Sequence, residues 1–320
     1  MNRKKVSIFG GTGFIGSLLT TALAKNGYRV TVFSRDRNVQ NDASCMSHVE
    51  FIDECKLEDE ALIREHMAGS EFVINMVGTW DNNRRRATKA HVEYPTTIYK
   101  IANSLNVKKM IHFSALGAKT NSPGTFFSTK AEGDKALLEL AQNGKMKVEI
   151  IAPSLVIGYE DRFTYNLARW IRHSPILALP MASAKVQPVF VNDILSAVQN
   201  LLENNYEQAQ FELAGPEVYT LKEMAKKIAK EITPKKRTII GMPGFIAGLM
   251  AFFIGFMPRF PYNRNQLKSA KTASVTDKND FEVLGLTPAS YESVRQYEMP
   301  TTILDKYYYD RLNARRPVKL

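Results

Sequence analysis

The sequence contains few of the residues that hold metals or disulfide bonds. Its two cysteines, Cys45 and Cys55, form neither a CxxC pair nor a zinc-binding spacing. We therefore expect free thiols and a reducing compartment. The five histidines show no HExxH or facial-triad spacing, and no G-x-S-x-G turn is present. These absences argue against a metal enzyme and against a serine hydrolase.

Long apolar runs are also missing. No stretch reaches the roughly 18 uninterrupted apolar residues that indicate a membrane-spanning helix. The first residues, MNRKK, lead straight into an apolar run, without an apolar signal region or a long Arg/Ser-rich presequence. This beginning fits a bacterial cytoplasmic protein, or an organellar protein shown without its targeting segment.

Acidic residues are outnumbered by basic ones. The 43 lysines and arginines against 32 aspartates and glutamates give a formal net charge of +11. Such a charge favours an acidic partner: a phosphorylated cofactor, an anionic membrane surface, nucleic acid or a larger assembly. Nucleic acid is not expected, because no finger spacing, helix-turn-helix pattern or aromatic ribonucleoprotein motif is present. The 320 residues, 44% of them hydrophobic, fit one large folded domain or one with a smaller companion.

A glycine-rich turn at residues 10–16 follows an apolar run and precedes apolar residues at helical spacing. Strand, glycine turn and helix in this order predict dinucleotide binding. Gly10 and Gly13 let the backbone bend tightly and approach a pyrophosphate, and Gly16 lets helix and strand pack closely. The anion then lies at the helix N-terminus, where unpaired N–H groups and the helix dipole favour it. The predicted binding residues of this turn are Gly10, Thr12, Gly13, Phe14, Ile15 and Gly16.

The second predicted strand, residues 28–33, ends at Ser34 and Arg35, where the ribose of a bound dinucleotide arrives. An NAD site places an acidic residue there, whereas a 2′-phosphate needs a cation and small donors. Ser34 and Arg35 therefore favour NADPH (NADP) over NAD. The alternative is that Arg35 is a solvated loop residue and that Asp36 binds the ribose.

Helices alternate with further predicted strands at residues 49–52, 72–77, 109–113 and 148–152. This alternation is typical of an α/β fold with a doubly wound parallel sheet. Val77 and Gly78 fall at a carboxyl strand end, where open α/β sheets bind ligands. A predicted loop follows and contains three arginines, which form either a solvated or partner-facing surface or a ligand contact: Arg84, Arg85 and Arg86.

Four patterns occur together along the chain: Gly10-x-x-Gly13-x-x-Gly16, a strand ending at Ser114, Lys130 within STKAEG (128–133), and Pro153-x-x-Val156-x-Gly158. Together they resemble the extended or atypical short-chain dehydrogenases/reductases. A finer resemblance, to the complex I accessory subunit nine branch, runs from the glycine turn almost to the C-terminus. It is carried by HFSALG (112–117), GYEDRF (158–163), QPVFVNDI (187–194) and GPEVYTL (215–221).

The resemblance implies a Rossmann domain that retains NADPH, in proteins attached to respiratory complex I or acting near quinone metabolism. It implies an NADP(H)-binding domain over residues 1–158. A smaller substrate-side lobe of mixed α/β structure follows over residues 159–320, and some of its segments return to the sheet. The cofactor-binding residues that it adds are Ser114, Lys130, Pro153 and Val156.

Enzymes of the wider family use a tyrosine four residues before the lysine. That spacing puts both on one helix face, so the ammonium lowers the pKa of the phenol and also binds the nicotinamide ribose. In this chain the position is occupied by Phe126, which has no transferable proton, and no tyrosine occurs between Tyr99 and Tyr159. No residue is therefore predicted to be catalytic.

Ser114 is the family's hydroxyl near the substrate carbonyl, but Ala115 and Leu116 follow it. Its role stays open between the substrate and pairing with backbone or cofactor. The resemblance, with Phe126 in the position of the tyrosine, implies an NADPH-binding, non-catalytic accessory subunit or assembly factor of respiratory complex I (NADH:ubiquinone oxidoreductase). The alternative is an active NADP-dependent reductase or epimerase, for example in quinone metabolism, with a proton donor from the second half.

The most unusual composition lies at residues 239–257, where Met and Phe alternate with small residues between basic clusters. One interpretation is a helix packed over a substrate cleft. The other is an apolar face on a membrane or a hydrophobic partner, with basic residues meeting anionic headgroups. Together with the resemblance to complex I subunits, the second interpretation implies peripheral attachment to the inner membrane, on the matrix side in mitochondria or the cytoplasmic side in bacteria. The basic tail, residues 311–320, either binds a partner or is free.

Overall fold

The computed structural model describes residues 3–35, 42–158, 161–242 and 274–298. Its strands are β1 (Lys5–Phe9), β2 (Arg29–Phe33), β3 (Val49–Ile52), β4 (Phe72–Asn75), β5 (Lys109–Phe113), β6 (Lys147–Pro153), β7 (Val156–Ile157), β8 (Ile176–Pro180), β9 (Lys185–Val186), β10 (Val189–Phe190), β11 (Gln210–Leu213), β12 (Tyr219–Thr220) and β13 (Thr238–Met242). Its helices are α1 (Phe14–Lys25), α2 (Glu60–Met67), α3 (Arg84–Thr88), α4 (Tyr94–Ser104), α5 (Thr125–Asn143), α6 (Arg162–His173), α7 (Val191–Glu203), α8 (Leu221–Ile232) and α9 (Tyr291–Glu298). A short 3-10 turn (Asp42–Cys45) precedes β3, and a π-turn (Lys89–Glu93) joins α3 to α4.

Seven strands form one parallel sheet in the order β11-β6-β5-β4-β1-β2-β3. The chain runs outward from β1 through β2 and β3, then crosses to β4 and continues outward on the other side. The strand order therefore reverses between β1 and β4. Open α/β sheets bind ligands in the crevice beyond the carboxyl strand ends at such a point.

Apolar side chains bury both faces of this sheet. Strand β4 reads FVIN and is buried throughout, as expected for a central parallel strand covered on both sides. Phe9 and Phe33 are register partners on β1 and β2, and their rings stack with centroids 4.5 Å apart. They join one core cluster with residues of α2, α4 and α5, among them Ile63, Ile98 and Leu137. This packing holds the carboxyl ends of β1 and β2 beside each other.

The chain divides into two compact units. The first comprises Met1–Pro153, Asn192–Leu213 and Thr276–Thr287, and it contains the seven-stranded sheet. The later segments add β11 beside β6, and the buried carboxylate of Asp280 accepts the backbone N–H of Glu212 at 2.8 Å.

The second unit comprises Ser154–Val191, Ala214–Val275 and Pro288–Leu320. Its described strands pair two by two: β7 with β10, β8 with β13, and β9 with β12. Helices α6 and α8 pack an apolar cluster that includes Leu167, Ile171, Ala225 and Ile228. A capping box between Thr220 and Glu223 begins α8, and the side chain of Asp161 caps α6 by accepting the N–H of Thr164, so both helices begin at defined residues.

The doubly wound parallel sheet predicted from the strand and helix alternation is confirmed. The loop predicted at the three arginines is wrong, because Asn83 caps a helix there and its side chain accepts the N–H of Arg86. Asp36, the apolar segment 245–257 and the basic tail 311–320 lie outside the described residues. In the part of the chain that is described, no helix is both long and apolar enough to cross a membrane.

Candidate functional site

A cleft lies in the first unit at the carboxyl ends of β1, β2 and β4. Seven of the residues predicted to bind a cofactor line it: Gly10, Thr12, Gly13, Ser34, Arg35, Val77 and Gly78. The other lining residues are Phe9, Phe33, Cys55, Lys56, Leu57, Ile63, Met76 and Tyr94. The fold therefore brings three separate sequence segments together at the point where the strand order reverses.

The three glycines of the turn differ in whether the packing of the protein requires them. Gly10 has a φ of +84°, and a Cβ there would lie 3.0 Å from the backbone of Met76. A Cβ on Gly16 would lie 2.2 Å from the carbonyl oxygen of Gly10. At Gly13 it would meet only that same oxygen, at an ordinary 3.4 Å. Gly10 and Gly16 are thus needed for the turn, whereas Gly13 leaves open space beside the cleft.

Helix α1 begins at this turn with its N-terminus uncompensated by side chains. Gly13 is the N-cap, no side-chain hydrogen bond caps the helix, and no acidic residue lies in its first turn. The partial positive charge of the first N–H groups is therefore available to an anion. The predicted residues Phe14 and Ile15 form the half-buried first turn.

Two cations flank the other end of the cleft. Arg35 follows β2 and is exposed, and Lys56 follows β3 and is also exposed. Ser34 lies beside them, with its backbone N–H and C=O bonded to Ile52 and Cys55. Among the described lining residues there is no carboxylate. The thiol of Cys55 is buried, which raises its pKa to about 11 and keeps it protonated.

Lys130 projects from the first turns of α5 toward the wall of the cleft. Its ammonium donates to the carbonyl oxygen of Phe113 at 2.7 Å and to that of Val77, a lining residue, at 3.2 Å. Burial lowers its pKa to about 8, partly offset by the carboxylate of Asp134. Lys130 is therefore mainly protonated at neutral pH and ties β4 to β5 at their carboxyl ends.

His91 is fixed as a neutral imidazole within the π-turn. The backbone N–H of Thr79 donates to its Nε2 at 2.9 Å, so Nδ1 carries the hydrogen and donates to the hydroxyl of Thr129 at 2.7 Å. Burial and the charge of Lys130 lower its pKa to about 3. Both ring nitrogens are thus occupied, and the ring does not titrate near neutral pH.

A buried polar chain runs from the cleft wall to Ser114. Asn75 accepts the N–H of Val77 at 3.1 Å and donates to Nδ1 of His112 at 3.0 Å. The Nε2–H of His112 then faces a carboxylate oxygen of Asp134 at 3.5 Å. The hydroxyl of Ser114 donates to the other oxygen of that carboxylate. Burial raises the pKa of Asp134 to about 6.

The position of the missing tyrosine is filled by an aromatic stack. Phe126 lies against the indole of Trp80, with ring centroids 3.7 Å apart and planes 8° apart. The hydroxyls of Ser128 and Thr129 donate to the carbonyl oxygen of Thr125, one helical turn earlier. Neither hydroxyl takes the place of the absent phenol, because both are committed to the helix backbone.

The remaining predicted residues lie apart from the cleft lining. Pro153 ends β6, and its carbonyl oxygen accepts the N–H of Leu116 at 2.9 Å. Val156 belongs to β7 of the second unit, where it pairs with Val189 of β10.

Sequence reasoning missed Lys56, His91, Asp134 and Trp80. Asp134 has a local signal, because it follows Lys130 by four residues and shares its helix face. Lys56 follows β3, which is paired with β2 and is not a neighbour of the glycine turn's own strand, β1. Nothing in the sequence signals that Trp80 reaches Phe126, since Phe126 follows it 46 positions later.

Comparison with known proteins agrees with this geometry. Residues 6–214 match the model of the NAD dependent epimerase/dehydratase family. The NADH-ubiquinone oxidoreductase 40 kDa subunit of Neurospora crassa mitochondria is 27% identical over 316 residues, covering 92% of this chain and 81% of that protein. Subunit 9 of the Arabidopsis thaliana NADH dehydrogenase [ubiquinone] 1 alpha subcomplex is 28% identical, covering 88% of this chain and 74% of that protein.

Solved structures share the fold. UDP-glucose 4-epimerase of Thermotoga maritima, solved with UDP-glucose, superposes with a TM-score of 0.73 at 18% identity, covering 96% of this chain and 99% of its own. The Bordetella bronchiseptica enzyme WbmG, solved in complex with NAD, gives a TM-score of 0.72 at 13% identity, covering 97% and 95%. With its parallel sheet, its glycine turn and a family match over residues 6–214, the chain belongs to the NAD dependent epimerase/dehydratase family.

Proposed function

We propose that this protein is an NADPH-binding, non-catalytic accessory subunit or assembly factor of respiratory complex I. The observation that carries the proposal is that one edge of the sheet has a cleft for a dinucleotide but, within the described residues, lacks a proton donor beside it. The cleft is lined by the glycine turn and by residues that follow β2 and β4, while the position of the proton donor is Phe126 and the hydroxyl of Ser114 is bound to Asp134.

The glycine turn supports binding of a pyrophosphate. The N-terminus of α1 has no acidic residue and no side-chain cap, and Gly13 leaves room for close approach of a ligand. We assign the nucleotide to residues 1–158, with Lys130 fixing the wall of the cleft beneath Val77. Residues 159–320 then supply contacts to the host assembly.

NADPH is favoured over NADH because of the charges at the ribose end. Arg35 and Lys56 stand where the 2′-phosphate arrives, and no described lining residue carries a carboxylate for a ribose hydroxyl. A charged hydrogen bond to a phosphate is worth about 1.5–3 kcal/mol. NADPH affinity is therefore expected to fall about tenfold or more in Arg35→Ala and in Lys56→Ala, with NADH affinity unchanged.

Calorimetric titration of both nucleotides measures this preference. Lys25→Ala is a matched control, because it removes one positive charge at the opposite end of α1. A wild-type chain that binds NADH more tightly than NADPH contradicts the assignment.

Hydride transfer is not supported by the side chains present. A carbonyl needs a proton donor and an oxygen ligand in the transition state. Phe126 supplies no proton, and Ser114 already donates to a buried carboxylate. An active reductase or epimerase would need its proton from the second half of the chain, and no observation here favours that candidate.

Association with complex I is inferred from the relatives. Those named above are mitochondrial complex I subunits and match about nine-tenths of this chain. We propose the same assembly for this protein, with peripheral attachment to the inner membrane on its matrix or cytoplasmic side.

A surface of the second unit supports membrane attachment. Ile176 and Ile240 are 56% and 48% exposed on the paired strands β8 and β13. Basic residues lie in α6 and directly before β13: Arg169, Arg172, Lys235, Lys236 and Arg237. Exposed apolar residues together with nearby basic segments of the chain fit an anionic phospholipid surface.

Gentle native purification from membranes tests the whole proposal. Mass spectrometry of co-purifying proteins and of bound nucleotide is expected to find complex I subunits and NADPH. A protein recovered without complex I subunits would contradict the assembly assignment, and one recovered without nucleotide would contradict the cofactor assignment. A protein that does not float with anionic vesicles would contradict membrane attachment.

A further inference from the structure

The stack of Trp80 on Phe126 joins the loop after β4 to the first turn of α5. Trp80 is 42% exposed, although one face of its indole lies flat on the phenyl ring. Phe127 and His91 present ring edges to the pair, with His91 5.4 Å from Phe126 at 90°. Stacked and edge-on pairs of this kind are attractive beyond the apolar area that they bury.

The loop that carries Trp80 is also the wall of the nucleotide cleft. Its residues Met76, Val77 and Gly78 line the cleft two to four positions before Trp80. The loop is fastened at its beginning by Asn75 and Lys130, both of which bond Val77. It is fastened further along by His91, which accepts the N–H of Thr79.

Trp80 is the last of these attachments and the one nearest to solvent. The side chains of Lys130 and His91 are buried, whereas the indole of Trp80 is partly exposed to water. Phe126 and Lys130 are four residues apart on one helix face. The lysine therefore holds the near part of the loop, and the phenylalanine holds the far part.

We propose that Trp80 and Phe126 form a latch that sets how long a dinucleotide stays in the cleft. The inference rests on the proposed nucleotide binding. Release of the nucleotide requires the loop after β4 to move away from α5, and this movement separates the two rings. The family position of the proton donor thus serves retention of the ligand in this chain, and Trp80 and Phe126 are positioning residues.

Dissociation of NADPH, followed by the loss of its fluorescence on mixing with excess NADP, tests the latch. Trp80→Ala and Phe126→Ala are expected to raise the dissociation rate about tenfold, which corresponds to about 1.4 kcal/mol. Trp80→Phe and Phe126→Tyr keep two stacked rings and are expected to change it less than about twofold. Thermal unfolding of the apo-proteins shows that each variant is folded.

The double variant separates a latch from two independent effects. Trp80→Ala combined with Phe126→Ala is expected to release NADPH no more than about twofold faster than either single variant, because each substitution already breaks the pair. A folded Trp80→Ala that releases NADPH at the wild-type rate overturns the latch and leaves the proposed function standing. A double variant that multiplies the single effects also overturns it. A wild-type chain that binds neither NADPH nor NADH overturns the proposed function, and the latch with it.

Discussion

The two ends of the crevice at the carboxyl edge of the sheet differ in what they offer a ligand. The first end is the cleft beside β1 and β2, where α1 begins without a compensating side chain and the exposed residues Arg35 and Lys56 line the wall. The second end lies beside β5 and α5, where the protein's own atoms bind the polar groups that catalysis would use. Lys130 bonds two carbonyl oxygens, and Ser114 bonds a carboxylate. Binding and chemistry are separable on this fold, because they depend on different strands and different helices.

The largest expected effect distinguishes the two kinds of glycine at the binding end. Gly16→Ala drives a Cβ into the carbonyl of Gly10, which is backbone and cannot turn aside. We expect a loss of unfolding free energy of at least about 3 kcal/mol, measured by urea denaturation.

Gly13→Ala is the matched control. Gly13 has an ordinary extended conformation, with φ of −77°, and space for a Cβ. We expect wild-type stability and NADPH affinity lower by about tenfold, because the methyl group occupies the approach of the pyrophosphate. Equal stability losses in both variants would contradict the distinction.

The second prediction concerns the buried carboxylate of Asp134, which binds Ser114. The folded-state pKa of Asp134, about 6, lies above its unfolded value near 4. The folded chain binds this proton more tightly, so the group's contribution to stability falls as the pH rises from about 4 to 6 and is constant above that. Asp134→Asn removes this cost. Its stability relative to wild type should therefore rise by about 3 kcal/mol between pH 4 and pH 7.

Denaturation of both proteins across this pH range measures the difference. Asp161 is also buried with a pKa raised to about 6, but it is present in both proteins and cancels. A difference between variant and wild type that does not change with pH would show that the pKa of Asp134 is the same in the folded and unfolded states.

A smaller effect is expected at the arginines before α5. Arg84 pairs with Glu132 at 2.5 Å while its side chain is 58% exposed, so Arg84→Ala should cost only about 0.2–1 kcal/mol, and less at high salt. Arg85→Ala is the control, since Arg85 forms no ion pair within the described residues. A loss above about 2 kcal/mol for Arg84→Ala would mean that the pair is a major anchor of α5.

The smallest expected change is in activity. Phe126→Tyr restores the family's phenol, yet we expect no steady NADPH oxidation with carbonyl compounds, because Ser114 remains bound to Asp134. Absorbance of NADPH follows the reaction. Oxidation that appears in Phe126→Tyr and disappears when Lys130→Ala is added would show that only the phenol was missing.

Much of the binding end was predictable from local patterns. The glycine turn and the two strands that lead to Ser34 and Val77 follow from short-range periodicity, although β4 ends at Asn75, and seven predicted residues do line the cleft. The first helical turn after Asn83 was not predicted, because three consecutive arginines carry no apolar period, although the asparagine cap was visible. Lys56 joins the cleft only through the pairing of β2 with β3.

The residue order alone was enough for the alternating strands and helices, the turn that bends at Gly10 and the absence of a phenol four residues before Lys130. These depend on side-chain type and spacing within a few residues. The capture of Ser114 by Asp134, the neutral state of His91 and the stack of Trp80 on Phe126 came from the folded chain. Each joins residues distant in sequence. Burial decides the first two, because it strips water from polar groups and leaves them only one another as partners. The third depends on the fold bringing two aromatic rings into contact.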